Sequence, residues 1–226
     1  MLRSEINQII KNSKSYFNKN NFYLPPWSSW TLNDWKKNIN FAKIAYESQI
    51  GWDVTDFGKN NFQKEGAVLF CIRNGNKKSK KSTTYCEKLL LLMPNQKIPF
   101  HFHKRKTEDI INKCNGVLEL GLYASNNQFY KKKESFILNI DSKPTRIKPN
   151  TKIFLKPGQS ITIKPYFCHY LKSSNKNKKN LIVGEVSSLN DDCCDNYFPD
   201  KNLRFSKIEE DEKINIPLWR ELSLLF

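Results

Sequence analysis

Two of the three histidines in this 226-residue chain lie one residue apart, in the segment HFHKRKTED at residues 101–109. Side chains at positions i and i+2 of a strand point to the same face, so His101 and His103 can bind one metal ion together if KIPFHFH is a strand. Imidazole is the most common ligand of transition metals, and a histidine pair beside a carboxylate suits Mn, Fe, Zn or Ni better than Ca or Mg. The pattern therefore predicts a transition-metal site.

A carboxylate and the third histidine are available to complete this site. Glu108 follows the histidine pair, but its parity in an unbroken strand is opposite to theirs, so segment 104–107 must contain a bend or a bulge. His169 follows a turn at Pro157-Gly158 and the strand-like run SITIK. We expect all four side chains to form one site rather than to be isolated core or surface residues.

The elements that must position these ligands are mainly β-strands. From residue 66, seven or eight short apolar runs alternate with turn-forming Asn, Gly, Ser and Pro, which indicates an all-β barrel or sandwich. Residues 1–48 instead place apolar residues at helical spacing, as in EINQIIKNSKSYF. We predict a single domain over 1–226, with a helical N-terminal arm at 1–48, a barrel core at 66–188 and a C-terminal segment at 189–226.

The formal net charge of +16 raises the possibility of nucleic-acid binding, because Lys and Arg neutralise phosphates. Only six residues are Arg, however, and the lysines occur in short runs within polar loop sequence. These runs are Lys77, Lys78, Lys80 and Lys81, then Lys131 to Lys133, then Lys176, Lys178 and Lys179. We interpret them as a solvated surface and expect no nucleic-acid partner.

The lengths of the apolar segments predict where the protein is located. No apolar run approaches the length of a membrane span, and the first residues lack the apolar core of a signal peptide. The six cysteines form no C-x-x-C pair. We therefore expect a cytoplasmic protein with reduced thiols and no membrane partner.

Longer motifs resemble a known family. H-x-H-x4-E-x7-G and P-G-x10-H, which contain the four candidate ligands, resemble the two motifs of the cupin superfamily. The segments GWDVTDFGKNNF (51–62), PFHFHKRKTEDIINK (99–113) and VGEVSSLNDDCCDN (183–196) resemble the D-lyxose ketol-isomerases, which are cupin-type sugar isomerases. This resemblance covers nearly the whole chain.

The resemblance implies a cupin-type β-barrel (jelly roll) that holds Mn²⁺, although the residues alone allow Fe, Co, Ni or Zn. It also implies a homodimer that interconverts D-lyxose and D-xylulose, with D-mannose and D-fructose as slower substrates, by proton transfer through a cis-enediol. Two alternatives remain open at this point. One is an iron-dependent oxygenase that uses the same metal site, and the other is a non-enzymatic module that binds nucleic acid or sugar.

An isomerase also needs a base and a cation near the carbonyl. We predict Glu185, in VGEVS, as the base, with a pKa raised by burial, while the division of proton transfer between it and Glu108 stays open. Lys106 is predicted to neutralise an enediolate oxygen, and Lys88 is a second candidate cation.

The remaining candidates are predicted to contact the sugar away from its reacting carbons. Asp195 and Arg204 lie in the segment that resembles the C-terminal part of the family, and we expect them to bind distal hydroxyls. Trp27 and Trp52 are expected to form a wall of the pocket.

Overall fold

Three helices precede the sheets in the computed structural model of the protein, which describes residues 1–77, 79, 82–125, 134–149 and 151–226. They are α1 (Arg3–Lys19), α2 (Leu32–Lys37) and α3 (Ile39–Glu47), with a 3-10 helix at Pro26–Ser29 between the first two. A capping box starts α2, because Thr31 and Asp34 each accept a hydrogen bond from the other's backbone N–H. The helical arm predicted from the apolar spacing is confirmed.

Twelve strands follow in the part of the chain that the structure describes. They are β1 (Gly51–Thr55), β2 (Ala67–Arg73), β3 (Tyr85–Leu92), β4 (Lys97–His101), β5 (Glu108–Cys114), β6 (Leu118–Ala124), β7 (Phe136–Ile140), β8 (Lys143–Ile147), β9 (Lys152–Leu155), β10 (Ser160–Ile163), β11 (Phe167–Ser173) and β12 (Leu181–Ser188). A second 3-10 helix, Trp219–Leu225, lies near the end of the chain.

The strands form two antiparallel sheets. The larger sheet has the order β1-β2-β3-β12-β5-β10-β7-β8, and the smaller one has the order β4-β11-β6-β9. The expected mainly-β architecture is confirmed, although the described residues form twelve strands where seven or eight runs were predicted. Because β1 precedes residue 66, the large sheet begins earlier than the predicted barrel core, and the division of the chain into arm, core and C-terminal segment stays a prediction.

The main apolar core lies between the two sheets. Alternate residues of β6, namely Leu118, Leu120 and Leu122, point inward and are almost fully buried. Ile161 and Ile163 of β10 meet them from the large sheet. The polar residues that also point inward are therefore held in an apolar, close-packed surrounding.

The helical arm covers the outer face of the large sheet. Ile6, Ile10 and Phe17 of α1 pack against Trp52 of β1 and Phe70 of β2. The first strands are thus buried on both faces. In β1 the apolar Trp52 and Val54 alternate with the polar Asp53 and Thr55, whereas β2 is apolar over most of its length. This packing decides which tryptophans are available to the interior.

The surface features predicted from the lysine runs can be checked only in part. Lys77, Lys176, Lys178 and Lys179 are exposed, as expected for a solvated surface. Lys78, Lys80, Lys81 and 131–133 lie outside the described residues. Within the described ranges, the structure has no helix long and apolar enough to span a membrane.

Candidate metal centre and active site

The three histidines come from two neighbouring strands of the small sheet. β4 pairs with β11 so that His101 lies directly opposite His169. His103 follows two residues after the end of β4, and all three side chains are buried. The strand spacing therefore brings the histidines together as the sequence predicted.

Glu108 reaches the histidines from the other sheet. The chain leaves β4 after His101 and bends at residues 104–105, and Glu108 is the first residue of β5. The predicted break between His103 and Glu108 is thus confirmed. One ligand atom from each of the four residues lies within 4.8 Å of the others. Two ligands about 2.1 Å from one ion lie at most about 4.2 Å apart, so a small contraction lets all four bind one ion.

Asp195 holds the bend that separates the histidine pair from Glu108. Its carboxylate accepts hydrogen bonds from the backbone N–H groups of Lys104 (2.9 Å), Arg105 (3.3 Å) and Lys106 (3.2 Å), and its carbonyl oxygen bonds His103 Nδ1. Asp195 does not line the pocket. The prediction that it binds sugar hydroxyls is therefore corrected, because its carboxylate is occupied by the backbone of the ligand-bearing loop.

The Nδ1 atoms fix the tautomer of each histidine. His101 Nδ1 donates to the carbonyl of Pro99 (2.9 Å), His169 Nδ1 donates to that of Phe167 (3.0 Å), and His103 Nδ1 donates to that of Asp195. A carbonyl oxygen only accepts, so Nδ1 carries the proton and the Nε2 lone pair of the neutral ring is free for a metal.

Three acceptor atoms of the site have no hydrogen-bond donor among the described residues: Nε2 of His103, Nε2 of His169 and Oε1 of Glu108. His169 Nε2 lies 2.9 Å from Glu108 Oε1, and neither atom has a hydrogen-bond partner. Two buried acceptors at this distance repel each other unless a cation lies with them. The arrangement fits a metal ion, and His103 Nε2, which is also buried and unpartnered, points to the same requirement.

Burial also keeps His101 and His103 neutral, which is the form that binds metals. Desolvation, together with the positive charge that the neighbouring rings would carry, lowers the pKa of His101 well below its usual value. Desolvation and the Lys106 ammonium lower the pKa of His103 to about 4. Burial raises the pKa of Glu108, but the Lys106 ammonium opposes this effect, and the net shift is to well below the ordinary range, so this carboxylate is ionised.

A second carboxylate lies beside the four ligands. Lys106 Nζ contacts Glu108 Oε2 at 2.7 Å and Glu185 Oε1 at 2.8 Å, and all three side chains are buried. Burial raises the pKa of Glu185, but Lys106 and Lys88 lower it more, and the net shift is downward. The prediction of a raised pKa is therefore wrong, because the sequence did not show that two lysines would meet this one carboxylate.

The ion pairs continue away from the metal ligands as a chain of alternating charge. Lys88 lies opposite Glu185 in the register of β3 and β12, with Nζ 3.8 Å from Glu185 and 3.4 Å from Asp192. Asp192 Oδ2 is 3.0 Å from Arg204 Nη2. Arg204 Nη1 is 2.7 Å from Asp53 Oδ2. The complete chain is Glu108, Lys106, Glu185, Lys88, Asp192, Arg204 and Asp53.

These charged groups and the metal ligands line one pocket that also has an apolar side. Phe57 and Phe198 lie on that side, with Leu69, Leu90 and Ile98. Lys88, Lys106, Glu108, Glu185 and Arg204 all line this pocket, and the roles predicted for them in catalysis and sugar binding stay predictions.

The two tryptophans lie elsewhere. Trp27 stacks on Phe70 with a centroid distance of 5.1 Å, and Trp52 donates its indole N–H to the carbonyl of Ser28 (2.8 Å). Both belong to the packing between the helical arm and the outer face of the large sheet. The prediction that they form a wall of the pocket is corrected, since the helices cover this face.

Sequence reasoning missed four residues of the site: Asp53, Phe57, Asp192 and Phe198. Asp192 had a usable signal, because it lies among the acidic residues of the segment 190–196 that also contains Asp195. Phe57 and Phe198 are in loops, where no periodicity indicates the direction of a side chain.

Comparison with known proteins places the chain in a family. The profile of the D-lyxose isomerase family matches residues 1–222. The chain belongs to the D-lyxose isomerase family. A member from Escherichia coli O157:H7, named D-lyxose/D-mannose isomerase, is 34% identical over 223 residues, which are 98% of each protein. One from Serratia proteamaculans with the same name is 32% identical and covers 97% of this chain and 95% of its own length. These matches confirm the resemblance to D-lyxose isomerases and identify the chain as a sugar aldose–ketose isomerase by family.

Solved structures support the fold of this family member. The L-ribose isomerase of Cellulomonas parahominis aligns with a TM-score of 0.62 and 15% identity over 92% of this chain and 98% of that one. The L-ribose isomerase of Acinetobacter sp. DL28, in complex with L-ribose, aligns with a TM-score of 0.58 and 14% identity over the same shares. At such identities the likeness concerns the fold alone, and the predicted cupin-type fold is confirmed.

Proposed function

We propose that this protein is a metal-dependent isomerase that interconverts D-lyxose and D-xylulose, and D-mannose and D-fructose, with Mn²⁺ as the bound ion. The family and the names of its relatives support the substrates. The observation that carries the proposal is the buried second carboxylate: Glu185 is not one of the metal ligands, yet Lys106 joins it to Glu108 by contacts of 2.8 and 2.7 Å. This arrangement provides both a proton carrier and a site for an electrophile.

The ion held by His101, His103, Glu108 and His169 would polarise the sugar oxygens on C1 and C2. Isomerisation then requires removal of the proton on C2 and its return to C1, with the reverse movement for the ketose. Glu185 is ionised at neutral pH, because Lys106 and Lys88 lower its pKa, so it is already in the form that accepts a proton. It takes the proton from C2 of the aldose and delivers it to C1.

Lys106 has a different task in this mechanism. Burial lowers its pKa, but Glu108 and Glu185 raise it more, so the net shift is upward and the ammonium group keeps its proton. A fixed positive charge at this position stabilises the negative charge that develops on the enediol oxygens, and it also holds Glu185 in place. For the step to balance, the hydroxyl proton of O2 moves to O1, the neighbouring oxygen on the same side of the cis-enediol.

The charge of the site supports an anionic transition state. Among the described residues, the chain from Glu108 to Asp53 contains three cations and four carboxylates, which leaves one net negative charge. A divalent ion bound by neutral histidines changes this to one net positive charge. The buried site is then complementary to a substrate that acquires a single negative charge as C2 loses its proton.

An iron-dependent oxygenase is the alternative with the same ligands. Such a reaction gives the non-ligating pair of Glu185 and Lys106 no role. A non-enzymatic module gives no reason for unpartnered acceptor atoms to converge on one buried point. Neither alternative is favoured by an observation of its own.

The homodimer implied by the family resemblance is also a proposal. Ile137 of β7 and Phe154 of β9 are large apolar side chains that are more than half exposed. A second copy is one way of covering such surfaces. Light scattering on the purified protein tests it, and a monomer at micromolar concentration would contradict it.

The isomerase is tested by turnover in D₂O. The protein is freed of metals, loaded with Mn²⁺ and incubated with D-lyxose. The expected product is D-xylulose that has gained some deuterium at C1, through exchange of the carboxyl proton of Glu185 with solvent between its removal from C2 and its delivery to C1. Glu185→Gln should lower kcat by a factor of about 10² to 10⁴ while the protein still binds Mn²⁺. Absence of a ketose product from any aldopentose or aldohexose, or oxygen consumption that depends on Fe²⁺, would contradict the proposal.

A further inference from the structure

The end of the charge chain that is farthest from the metal ligands consists of Arg204 and Asp53. Arg204 lines the pocket, and its guanidinium lies between Asp192 and Asp53 and about 5.0 Å from the ring centroid of Phe205. Asp53 is on β1, the edge strand of the large sheet, and its side chain points inward while Trp52 and Val54 point to the helices. The edge strand thus contributes one charged group to the interior, directly behind Arg204.

The polar atoms of this pair lack ordinary partners. Arg204 Nη1 lies 2.7 Å from Asp53 Oδ2, yet neither Nη atom of Arg204 and neither carboxylate oxygen of Asp53 has hydrogen-bond geometry with any described residue. Both side chains are largely buried. Buried polar atoms without hydrogen bonds are rare in native proteins and need an explanation.

The explanation that the geometry supports is a guanidinium held by charge while its N–H donors stay available. Asp192 also accepts a hydrogen bond from Arg204 Nε at 3.3 Å, but Asp192 is shared with Lys88. The one ion pair of Asp53 in the described part of the chain is with Arg204. Without the Asp53 carboxylate, Arg204 would be held, among the described residues, only by Asp192, which Lys88 also attracts.

We propose that Asp53 is a positioning residue that fixes the Arg204 guanidinium so that its Nη–H groups bind the sugar hydroxyls farthest from C1 and C2. This inference rests on the proposed function, because C1 and C2 must lie at the metal ligands for Arg204 to face the other end of the sugar. Asp53 then determines the affinity for the aldose and leaves the proton transfer at Glu185 unaffected, since Lys106 and Lys88 still hold that carboxylate.

The experiment is a double-mutant cycle on the Mn²⁺-loaded protein, with kcat and KM for D-lyxose measured for wild type, Asp53→Asn, Arg204→Met and the double variant. We expect Asp53→Asn to raise KM by about tenfold or more, as for loss of a well-placed charged donor, with kcat within about threefold of wild type. In the Arg204→Met background the same change should have almost no effect on KM, because Asp53 acts only through Arg204.

Asp56→Asn is the matched control. Asp56 lies just after β1, is buried like Asp53 and bonds Ser206 and the N–H of Gly58, but it does not line the pocket. Its substitution should lower the melting temperature and leave KM unchanged. If Asp56→Asn and Asp53→Asn change KM equally, the effect of Asp53 is a general loss of structure and the proposal is overturned.

The remaining outcomes are also decisive. An active wild type with an unchanged KM in Asp53→Asn, or equal KM effects of Asp53→Asn in both backgrounds, overturns the positioning role and leaves the proposed function intact. A wild type without turnover of any aldose overturns the proposed function and this inference with it. If Asp53→Asn does not fold, the double variant tests the role instead, because it leaves no unpaired arginine. A KM equal to that of Arg204→Met supports the positioning role of Asp53, and a several-fold higher KM contradicts it.

Discussion

Replacement of Asp195 by alanine tests whether this residue holds the 104–106 loop, as in the structure, or binds sugar hydroxyls, as the sequence predicted. Its carboxylate accepts three backbone N–H groups from residues 104–106, at 2.9, 3.3 and 3.2 Å. A hydrogen bond to a charged group contributes about 1.5–3 kcal/mol, but two of the three are long and the loop is partly solvated, so we expect Asp195→Ala to destabilise the protein by about 2–4 kcal/mol. For a chain of this length that corresponds to a fall of roughly 5–15 °C in melting temperature.

The same substitution should weaken metal binding. Segment 104–106 lies between His103 and Glu108. Substitution of a residue that orients metal ligands typically lowers metal affinity by about 10- to 100-fold. Thermal unfolding followed by circular dichroism and calorimetric titration of the metal-free protein with Mn²⁺ measure the two effects. Asp200→Asn, which changes an exposed carboxylate of the neighbouring loop, is the control and should stay within about 0.5 kcal/mol of wild type. A variant Asp195→Ala with normal stability and metal affinity but a raised KM would refute this reasoning and support a contact with the sugar.

Three further predictions concern the packing, the metal and the charge chain. Trp27→Ala should destabilise the protein by about 3–5 kcal/mol in urea unfolding without a change in KM, because Trp27 packs outside the pocket. Removal of metal by a chelator should abolish turnover and lower the melting temperature, and Mn²⁺ at about 100 times its Kd should restore about 2.7 kcal/mol of stability; turnover by fully metal-free protein would contradict the ligand assignment. Burial raises the pKa of Asp192, but Arg204 and Lys88 lower it more, to well below 3.8. The ionised carboxylate therefore stabilises the fold above the unfolded-state pKa. This contribution is lost as the pH falls through the folded-state pKa. The destabilisation caused by Asp192→Asn should therefore be large at neutral pH and shrink as the pH falls below about 3.8, and a pH-independent difference would show that the ion pairs are not its origin.

The grouping of the four candidate metal ligands was the part of the site that the sequence could predict. His101 and His103 are two positions apart, and the two-residue period of a strand fixes their common direction whatever the rest of the chain does. The opposite parity of Glu108 was informative for the same reason, since it required the break that separates β4 from β5. A local rule of backbone geometry was sufficient in both cases.

Contacts that depend on packing between distant segments could not be predicted in this way. Asp192 and Asp195 lie three residues apart, and the turn between them sends one carboxylate to Arg204 and the other to the backbone of the 104–106 loop. Trp27 was expected to form a wall of the pocket, but the docking of the helical arm decides its position. No periodicity of the sequence contains this information.

The error on Glu185 shows how burial and charge must be considered together. A carboxylate buried alone becomes a weaker acid, and that was the basis for predicting a raised pKa. In the folded protein, however, Lys106 and Lys88 come from the bend and from β3, and their combined attraction exceeds the cost of desolvation. The result is a carboxylate that is ionised at neutral pH, which is the form that the proposed base requires.

An ionised base of low pKa would be a poor catalyst if its surroundings stayed the same during the reaction. In the proposed mechanism, removal of the C2 proton by Glu185 leaves negative charge on the substrate oxygens, and Lys106, which lies 2.8 Å from Glu185, can then direct its positive charge to those oxygens. As Lys106 shifts its attraction from the carboxylate to the substrate, its lowering of the Glu185 pKa weakens, while Lys88 stays 3.8 Å from that carboxylate. Moving the Lys106 charge to the substrate oxygens thus increases the affinity of the proposed base for the proton during the same step in which the proton is transferred.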